Sequence, residues 1–311
     1  MTRHLIKSQQ LDRAFIDHLF GMAAYLEAYP RQPRMLEGRI MATLFYEPST
    51  RTRLSFESAM TRMGGQVLTT ESARHFSSAA KGENIEDTVR VVQNYCDVIV
   101  LRHHEAGAAK RAAAVSAVPV VNAGDGPGQH PTQALVDLYT IQRELGGVDG
   151  ITVAMVGDLL NGRTVRSLCY LLSKYRDVTI HMVSPPQVRM KDDIMGHLRE
   201  SGVRTVVTDR LEEALGRADV VYQTRVQKER FDDPDEYAEV SGRLVIDPAA
   251  MSLMKERSIL MHPLPRLGEI APGVDLDPRA AYFRQASRAV PVRGAILRWI
   301  FEEERPRKPF V

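Results

Sequence analysis

The sequence predicts an α/β protein of two doubly wound domains, each with a central parallel sheet flanked by helices. Short apolar runs alternate with longer segments of helical period, and polar clusters follow several of these runs. Alternating strands and helices favour parallel sheets. The chain has 311 residues, which is long for one such layered stack and suits two domains of about 150 residues each.

The first apolar run, residues 40–46, predicts a strand that leads directly into Glu-Pro-Ser-Thr-Arg-Thr-Arg at 47–53. Phe56, Met60 and Met63 follow at spacings of four and three, which is typical of a helix with one apolar face. Backbone N–H groups and the dipole at a helix start attract an anion, and two arginines can converge on it. The segment therefore predicts a phosphate site, although an exposed basic turn capped by its serine would contain the same residues.

Five further apolar runs precede polar clusters in the same way. The runs are residues 96–101, 118–122, 151–156, 219–222 and 258–261, and the clusters after them include Arg102, His130, Gln133, Arg163, Arg225 and the segment 262–266, His-Pro-Leu-Pro-Arg. Ligands of open parallel sheets bind outside the carboxyl ends of the strands. We therefore expect these clusters to line one cleft.

A domain boundary is predicted between residues 133 and 134. A glycine-rich turn at 124–128 precedes a helical pattern there, and a second glycine-rich segment at 146–150 ends that pattern. The expected domains are 1–133 and 134–287. Because the apolar helix near the C-terminus follows the last strand of the second domain, we expect residues 288–311 to pack back on the first domain.

Composition argues against several classes of protein. Hydrophobic residues make up 44% and charged residues 26% of the chain, as in ordinary globular proteins. The formal net charge of +2 is too small to predict a nucleic-acid partner. No apolar run of about 18 residues and no signal peptide is visible, which predicts a cytoplasmic protein without membrane contact. The two cysteines and the unpaired spacing of the nine histidines predict no disulfide framework and no metal site.

The clusters together resemble the transcarbamoylase family, the aspartate/ornithine carbamoyltransferase superfamily, in the same order from Phe45 to Arg293. Residues 49–53 resemble its carbamoyl-phosphate signature, and the residues that fall where its carbamoyl-binding residues fall are Arg102, His130 and Gln133. The elements that resemble those recognising the acceptor in its aspartate branch are Arg163, Arg225, Gln227 and the segment 262–266.

This resemblance implies transfer of the carbamoyl group of carbamoyl phosphate to the amino group of L-aspartate, in de novo pyrimidine biosynthesis and without a cofactor. Such a transfer requires an oxyanion site, a phosphate cage and a positioned amine. The implied catalytic residues are Arg51, Thr52, Lys81, Arg102 and His130. The implied substrate-binding residues are Ser49, Thr50, Ser77, Gln133, Arg163, Arg225, Gln227, Pro263, Leu264 and Pro265.

Residues 77–83 resemble the family loop whose serine and lysine, here Ser77 and Lys81, enter the active site of a neighbouring subunit. The resemblance therefore implies a homotrimer with shared active sites, which is a closed ring of head-to-tail contacts. It leaves open a larger assembly with a regulatory or pathway-partner chain. Without the resemblance, the same segment would indicate a solvated loop with an ordinary surface lysine.

Two other functions fit the motifs less well. One is a transcarbamoylase acting on a different, acidic amino-acid acceptor; ornithine is disfavoured because its cationic side chain would meet arginine. The other is a catalytically silent paralogue, which is disfavoured because the implied catalytic residues are intact. The chain departs from the family pattern at Arg166 and Gly268, which flank the acceptor side, and in residues 285–291, which include Arg288 and Pro291.

Overall fold

The computed structural model describes residues 2–71, 82–226, 233, 237, 242 and 244–302. The chain splits into two compact units: unit 1 is Met1–Thr132 with Arg288–Val311, and unit 2 is Gln133–Ser287. Three residues with implied roles lie outside the described residues, namely Ser77, Lys81 and Gln227.

Unit 1 contains a four-stranded parallel sheet with the order β2-β1-β3-β4. The strands are β1 (Ile40–Phe45), β2 (Gln66–Glu71), β3 (Val98–His103) and β4 (Val120–Asp125). The described helices are α1 (Arg13–Ala28), α2 (Thr50–Arg62), α3 (Ile85–Val92), α4 (Ala108–Val115) and α11 (Ala289–Ile300), with a short 3₁₀ helix at Ser8–Gln10.

Local signals in the sequence set the starts of these helices. Asp12 caps α1 by accepting a hydrogen bond from Phe15 N, and Asn84 caps α3 by accepting one from the backbone three residues later. Such caps satisfy N–H groups that have no partner inside the helix. Phe56 and Met60 of α2 are fully buried, so the apolar face that their spacing predicts is confirmed.

Three of the four strands of unit 1, β1, β3 and β4, are buried along nearly their whole length, as parallel strands between helical layers are, whereas Gln66, Leu68 and Thr69 of the edge strand β2 are exposed. β4 is buried throughout, and β1 and β3 are buried at all but one position. The chain passes from β1 to β2 on one side and then crosses to β3 on the other. Ligands bind beyond the carboxyl ends of strands at such a reversal of strand order. The ends of β1 and β3 are therefore the expected position of a site.

The C-terminal helix completes unit 1. α11 packs against α1 and α2, and Arg288 Nε lies 3.5 Å from Glu27 Oε1 of α1. The predicted return of this helix to the first part of the chain is confirmed. Pro291 is the third residue of α11, a first-turn position at which no N–H is needed for the helical hydrogen bonds.

Unit 2 contains a five-stranded parallel sheet with the order β7-β6-β5-β8-β9. The strands are β5 (Thr152–Val156), β6 (Thr179–Val183), β7 (Arg204–Thr208), β8 (Val220–Gln223) and β9 (Ile259–Met261). The described helices are α5 (Pro131–Leu145), α6 (Arg163–Leu172), α7 (Asp192–Glu200), α8 (Leu211–Leu215), α9 (Pro248–Leu253) and α10 (Tyr282–Ser287), with 3₁₀ helices at Pro186–Val188 and Pro272–Leu276. The predicted fold class is confirmed.

The core of unit 2 forms where apolar residues of adjacent strands pack against α8 and α9. Val156, Val221 and Leu260 come from β5, β8 and β9, and they cluster with Leu215 and Met251. The strand order reverses between β5 and β8, so a second ligand position is expected beyond the ends of these two strands. In the described part of the chain, no helix has both the length and the apolar character needed to cross a bilayer.

Candidate active site

The turn between β1 and α2 forms the first part of the candidate site. Phe45 pairs with Arg102 of β3 in the sheet register, and Tyr46 N donates to Arg102 O at 2.8 Å. Ser49 is the N-cap residue of α2, yet its side chain makes no capping hydrogen bond. The N–H groups of the first helical turn have no partner within the helix. The turn thus presents hydroxyl and amide donors at the positive end of a helix dipole.

The structure distinguishes the two arginines of this turn. Arg53 Nη1 donates to Glu57 Oε1 at 3.3 Å and to Thr69 Oγ1 at 3.2 Å, so its guanidinium holds α2 against β2. Arg51 is exposed, whereas Thr52 is only 5% exposed. The expectation that both arginines converge on one anion is therefore wrong for Arg53. Arg51 remains the candidate anion ligand.

A buried arginine supports this turn from α11. Arg293 is 1% exposed; its Nη1 donates to Arg51 O at 3.3 Å and also to Ser55 Oγ. Its guanidinium carbon lies 5.1 Å from the centre of the Phe56 ring, a distance at which a cation is attracted to an aromatic face. Arg293 is not among the site residues that the sequence motifs predict. A lone arginine within an apolar helical segment is the signal that could have indicated it.

Arg102 lies at the reversal of strand order in unit 1. Its Nη1 donates to Ala123 O of β4 at 3.3 Å, and its Nη2 lies 3.5 Å from Glu47 Oε2 in the turn after β1. The Arg102 side chain is 13% exposed. These contacts hold the guanidinium between the ends of β1 and β4. Arg102 is the penultimate residue of β3, rather than a residue beyond the strand as the sequence predicts.

A glycine-containing turn after β4 positions His130. Gly126 has a φ of +49°, and a Cβ there would lie 2.2 Å from His104 O, so only glycine fits. The Asp125 carboxylate closes the turn by accepting hydrogen bonds from Gln129 N at 2.7 Å and from Gly107 N at 2.9 Å. His130 follows, 4% exposed, immediately before α5. The turn therefore places an imidazole at the same sheet edge as Arg102.

Two arginines of unit 2 lie beyond neighbouring strands. Arg163 is the first residue of α6, which follows β5. Arg225 follows β8, and the strands are joined just before it by a hydrogen bond from Thr224 N to Val156 O at 2.8 Å. A Cβ at Gly157 would lie 2.3 Å from Thr224 O, so the close approach requires glycine. The structure thus carries both partly exposed arginines on adjoining segments at the strand-order reversal of unit 2.

The segment 262–266 follows β9 and is held from within. Leu264 has a φ of +55°, which is uncommon for a residue with a side chain, and the Leu264–Pro265 peptide is cis. His262 Nδ1 accepts from Leu264 N at 2.8 Å, and His262 Nε2 lies 2.8 Å from Glu269 Oε1. The imidazole and the carboxylate are both buried. The carbonyl groups of the two prolines and Leu264 are thereby fixed in direction.

Arg266 anchors the far end of this segment. Its Nη2 donates to Asp275 Oδ2 at 2.6 Å, and its Nη1 donates to Tyr282 Oη at 3.0 Å. The hydrogen bonds from this guanidinium hold the pKa of the Asp275 carboxyl below its usual value. Burial, together with the Asp275 carboxylate, raises the pKa of Tyr282 to about 12. Arg266 therefore positions the segment through a charged hydrogen-bonded pair.

Two departures from the family pattern have structural explanations. Arg166 Nη1 donates to Asp193 Oδ1 at 3.1 Å, and Arg166 Nη2 also donates to Asp193, so this guanidinium joins α6 to α7. A Cβ at Gly268 would meet nothing within 4 Å. The neighbouring Glu269 provides a carboxylate, which accepts a hydrogen bond from Gly268 N at 3.1 Å.

Matches to known families cover both halves of the chain. Residues 3–143 match the model described as "Aspartate/ornithine carbamoyltransferase, carbamoyl-P binding domain", and residues 149–300 match its "Asp/Orn binding domain". The chain belongs to the aspartate/ornithine carbamoyltransferase family. The gap between the two matches, residues 144–148, begins at the end of α5, whereas the two compact units divide near the start of that helix.

Two relatives of the chain, one from a plant and one from an archaeon, are both named as aspartate carbamoyltransferases. The chain is 56% identical over 298 residues to the chloroplastic aspartate carbamoyltransferase of Arabidopsis thaliana, covering 94% of this chain and 76% of the relative. It is 49% identical over 300 residues to the aspartate carbamoyltransferase catalytic subunit of Archaeoglobus fulgidus, covering 96% of this chain and 98% of the relative.

Solved structures of the family have the same fold. The aspartate transcarbamoylase catalytic subunit of M. jannaschii superposes with a TM-score of 0.91 at 46% identity, covering 97% of this chain and 99% of that one. Aspartate transcarbamoylase from Trypanosoma cruzi in complex with N-(phosphonacetyl)-L-aspartic acid superposes with a TM-score of 0.90 at 41% identity, covering 96% and 95%.

The structure groups the described site residues by unit. The unit 1 group is Ser49, Thr50, Arg51, Thr52, Arg102 and His130, and the unit 2 group is Gln133, Arg163, Arg225, Pro263, Leu264 and Pro265. Most of these residues follow the carboxyl end of a strand, whereas Arg102 is the penultimate residue of β3 and Gln133 lies on α5, which follows β4 of unit 1. Across the described residues, no group of three or more His, Cys, Asp or Glu is arranged to hold a metal ion.

Proposed function

We propose that the protein transfers the carbamoyl group of carbamoyl phosphate to the amino group of L-aspartate, giving N-carbamoyl-L-aspartate and phosphate in de novo pyrimidine biosynthesis. The observation that carries the proposal is the placement of arginines at the strand-order reversals of both sheets. A family relative from T. cruzi, 41% identical to this chain, has been crystallised in complex with carbamoyl phosphate and aspartate, which supports this choice of substrates.

In the carbamoyl-phosphate half, the turn before α2 receives the phosphate. Ser49, Thr50 and Arg51 provide backbone and side-chain donors at the positive end of the helix. The hydroxyl of Thr52 also contacts the phosphate and, with Arg102 and His130, donates to the carbamoyl oxygen, where negative charge develops. Gln133 orients the carbamoyl amide.

In the acceptor half, Arg163 and Arg225 each pair with one carboxylate of aspartate. A planar guanidinium matches a carboxylate with two parallel hydrogen bonds, and Gln227 supports the second carboxylate. The carbonyls of the Pro263-Leu264-Pro265 segment accept hydrogen bonds from the amino group. An acceptor with one carboxylate would leave one of these arginines without an anion.

The reaction needs no covalent intermediate on the protein. The amine nitrogen forms a bond to the carbamoyl carbon, the bond from that carbon to the phosphate oxygen breaks, and the leaving phosphate accepts the proton that the amine loses. The protein contributes placement of the two reactants and stabilisation of the oxyanion.

The test of this function is a transfer assay with the purified chain. Carbamoyl phosphate is supplied with L-aspartate and, in parallel, with L-glutamate and L-ornithine, and the carbamoylated products are measured. Carbamoyl-aspartate is expected to form, with little product from the other two acceptors. Transfer to another acidic amino acid alone, or to none, would contradict the proposal.

We also propose that the active unit is a homotrimer in which Ser77 and Lys81 enter a neighbour's site. Inactive Lys81→Ala and Arg51→Ala subunits, mixed and reassembled, are expected to regain activity. In a trimer that contains both variant subunits, one of the three sites combines an intact Arg51 with the intact Lys81 of a neighbour. Each mixed trimer should therefore show about a third of wild-type activity. Verified mixed trimers without activity would exclude shared sites.

The cytoplasmic location and the absence of a nucleic-acid partner remain predictions. The plant relatives are named as chloroplastic proteins, and the archaeal relatives are named as catalytic subunits. Attachment of a regulatory or pathway-partner chain is likewise a prediction, which purification of the native complex would check.

A further inference from the structure

We propose that Asp137, on the second turn of α5, is a positioning residue that sets the mutual placement of three substrate-binding segments of unit 2. The inference rests on the proposed function. It concerns a side chain that contacts no reacting atom and acts through its neighbours.

The Asp137 carboxylate accepts hydrogen bonds from three side chains, one of which lies one helical turn away on α5 and two of which are distant in sequence. Gln133 Nε2 donates to Oδ1 at 2.7 Å, and Gln285 Nε2 donates to the same oxygen at 2.6 Å. Tyr222 Oη donates to Oδ2 at 2.7 Å. Asp137, Tyr222 and Gln285 are each at most 1% exposed. These four residues form what we term the Asp137 cluster.

The chemistry of the cluster requires a carboxylate at its centre. A buried carboxylate costs free energy unless hydrogen bonds replace its hydration. An ionised aspartate only accepts, so both of its oxygens can receive donors at once. The Tyr222 hydroxyl is directed toward this anion; burial first, and then the neighbouring Asp137 charge, raise the pKa of Tyr222 well above its usual value. Tyr222 therefore acts as a hydrogen-bond donor.

Each donor of the cluster leads to a different part of the proposed site. Gln133 is the residue assigned to the carbamoyl amide. Gln285 uses its other end to accept a hydrogen bond from His262 N at 2.9 Å, which fixes the first residue of the segment 262–266. Tyr222 lies on β8 three positions before Arg225, and the Thr164 hydroxyl beside Arg163 is another hydrogen-bond partner of its phenol.

The cluster thus connects the carbamoyl-binding residue, the arginine-bearing segments and the proline segment through one buried anion. None of these contacts is local except that between Gln133 and Asp137, one helical turn apart. Small displacements of reacting groups cost large factors in rate, about 10²-fold for 1 Å. Loss of the central carboxylate should therefore impair the use of both substrates together. Loss of a residue that contacts a single substrate should impair the use of that substrate alone.

The test compares Asp137→Asn with a matched control, Asp219→Asn. Asp219 also lies in unit 2 and accepts from Thr152 N at 2.8 Å and from Lys255 Nζ at 2.7 Å, at the opposite edge of the sheet from the site. Asp137→Asn is expected to lower kcat by about 10²-fold and to raise KM for both carbamoyl phosphate and aspartate. Asp219→Asn is expected to change thermal stability but neither KM.

A double-mutant cycle separates positioning from general destabilisation. In a Gln133→Ala background, Asp137→Asn should raise KM for carbamoyl phosphate little further, because Asp137 acts on this substrate through Gln133. Its effect on KM for aspartate should remain, because that effect does not depend on Gln133. Equal additivity for both substrates would overturn the inference. If Asp137→Asn does not fold, Tyr222→Phe provides the second variant, with an expected rise in aspartate KM of about tenfold.

Amide hydrogen exchange gives a readout that does not need activity. Asp137→Asn should accelerate exchange at the His262 amide, which Gln285 holds, whereas Asp219→Asn should leave that amide unchanged. If the wild-type chain transfers no carbamoyl group, the proposed function fails while this measurement still decides whether the cluster orders the segment. If the wild type is active and Asp137→Asn behaves as Asp219→Asn does in both kinetics and exchange, the positioning role is excluded.

Discussion

Replacing Arg51 with alanine is expected to lower kcat/KM for carbamoyl phosphate by about 10²- to 10³-fold. Arg51 is exposed in the first turn of α2, and Ser49, the N-cap residue of this helix, makes no capping hydrogen bond with its side chain. Loss of this charge removes a ligand whose attraction strengthens as the leaving phosphate develops charge. Steady-state kinetics with carbamoyl phosphate varied at saturating aspartate measures the effect.

Arg53→Ala is the matched control because it removes a guanidinium two residues away on the same helix. Arg53 is paired with Glu57 and Thr69, so this change is expected to cost about 1 kcal/mol of unfolding free energy and to affect carbamoyl-phosphate kinetics far less. Equal kinetic losses in both variants would contradict the assignment of the anion to Arg51.

Replacing Arg225 with alanine is expected to raise KM for aspartate by about 10- to 10²-fold. The residue follows β8 at the strand-order reversal of unit 2. Without its guanidinium, one carboxylate of the acceptor would lose a bidentate hydrogen-bond donor. Binding of carbamoyl phosphate, measured by calorimetry without aspartate, is expected to stay within about twofold of wild type, because the proposed phosphate ligands lie in unit 1.

Arg166→Ala is the control for this second variant. Arg166 lies near Arg163 on α6, but its guanidinium is paired with Asp193. Aspartate KM is therefore expected to remain near the wild-type value, while the contact between α6 and α7 weakens. A rise in KM as large as that of Arg225→Ala would show that the Arg166 guanidinium leaves Asp193 to bind the acceptor.

Most strands that carry a site could be predicted from the sequence. The runs that lead to Arg51, Arg102, Arg163 and Arg225 correspond to β1, β3, β5 and β8, with boundaries shifted by at most two residues. β2, β6 and β7 lie outside the predicted runs. The exposed positions of β7 remove the continuous apolar pattern that marks a buried parallel strand.

The roles of individual arginines could not be predicted in the same way. By residue type alone Arg51 and Arg53 are equivalent candidates; only the resemblance to the family separates them, and it presents Arg166 merely as a departure near Arg163. Their roles differ because of the carboxylates that lie nearby in space: Glu57 pairs with Arg53, and Asp193 pairs with Arg166. Charge pairing depends on distance in the folded chain, which residue spacing alone does not specify.

The sequence by itself determined the α/β class, the order of the motifs and the family, because strand and helix periods and residue types are local properties. Only the tertiary structure decided which polar groups support the site from behind. Arg293 reaches Arg51 O across 242 residues, and Gln285 reaches Asp137 across 148 residues. Such contacts arise when packing excludes water and each buried polar group must find a partner wherever the fold places one.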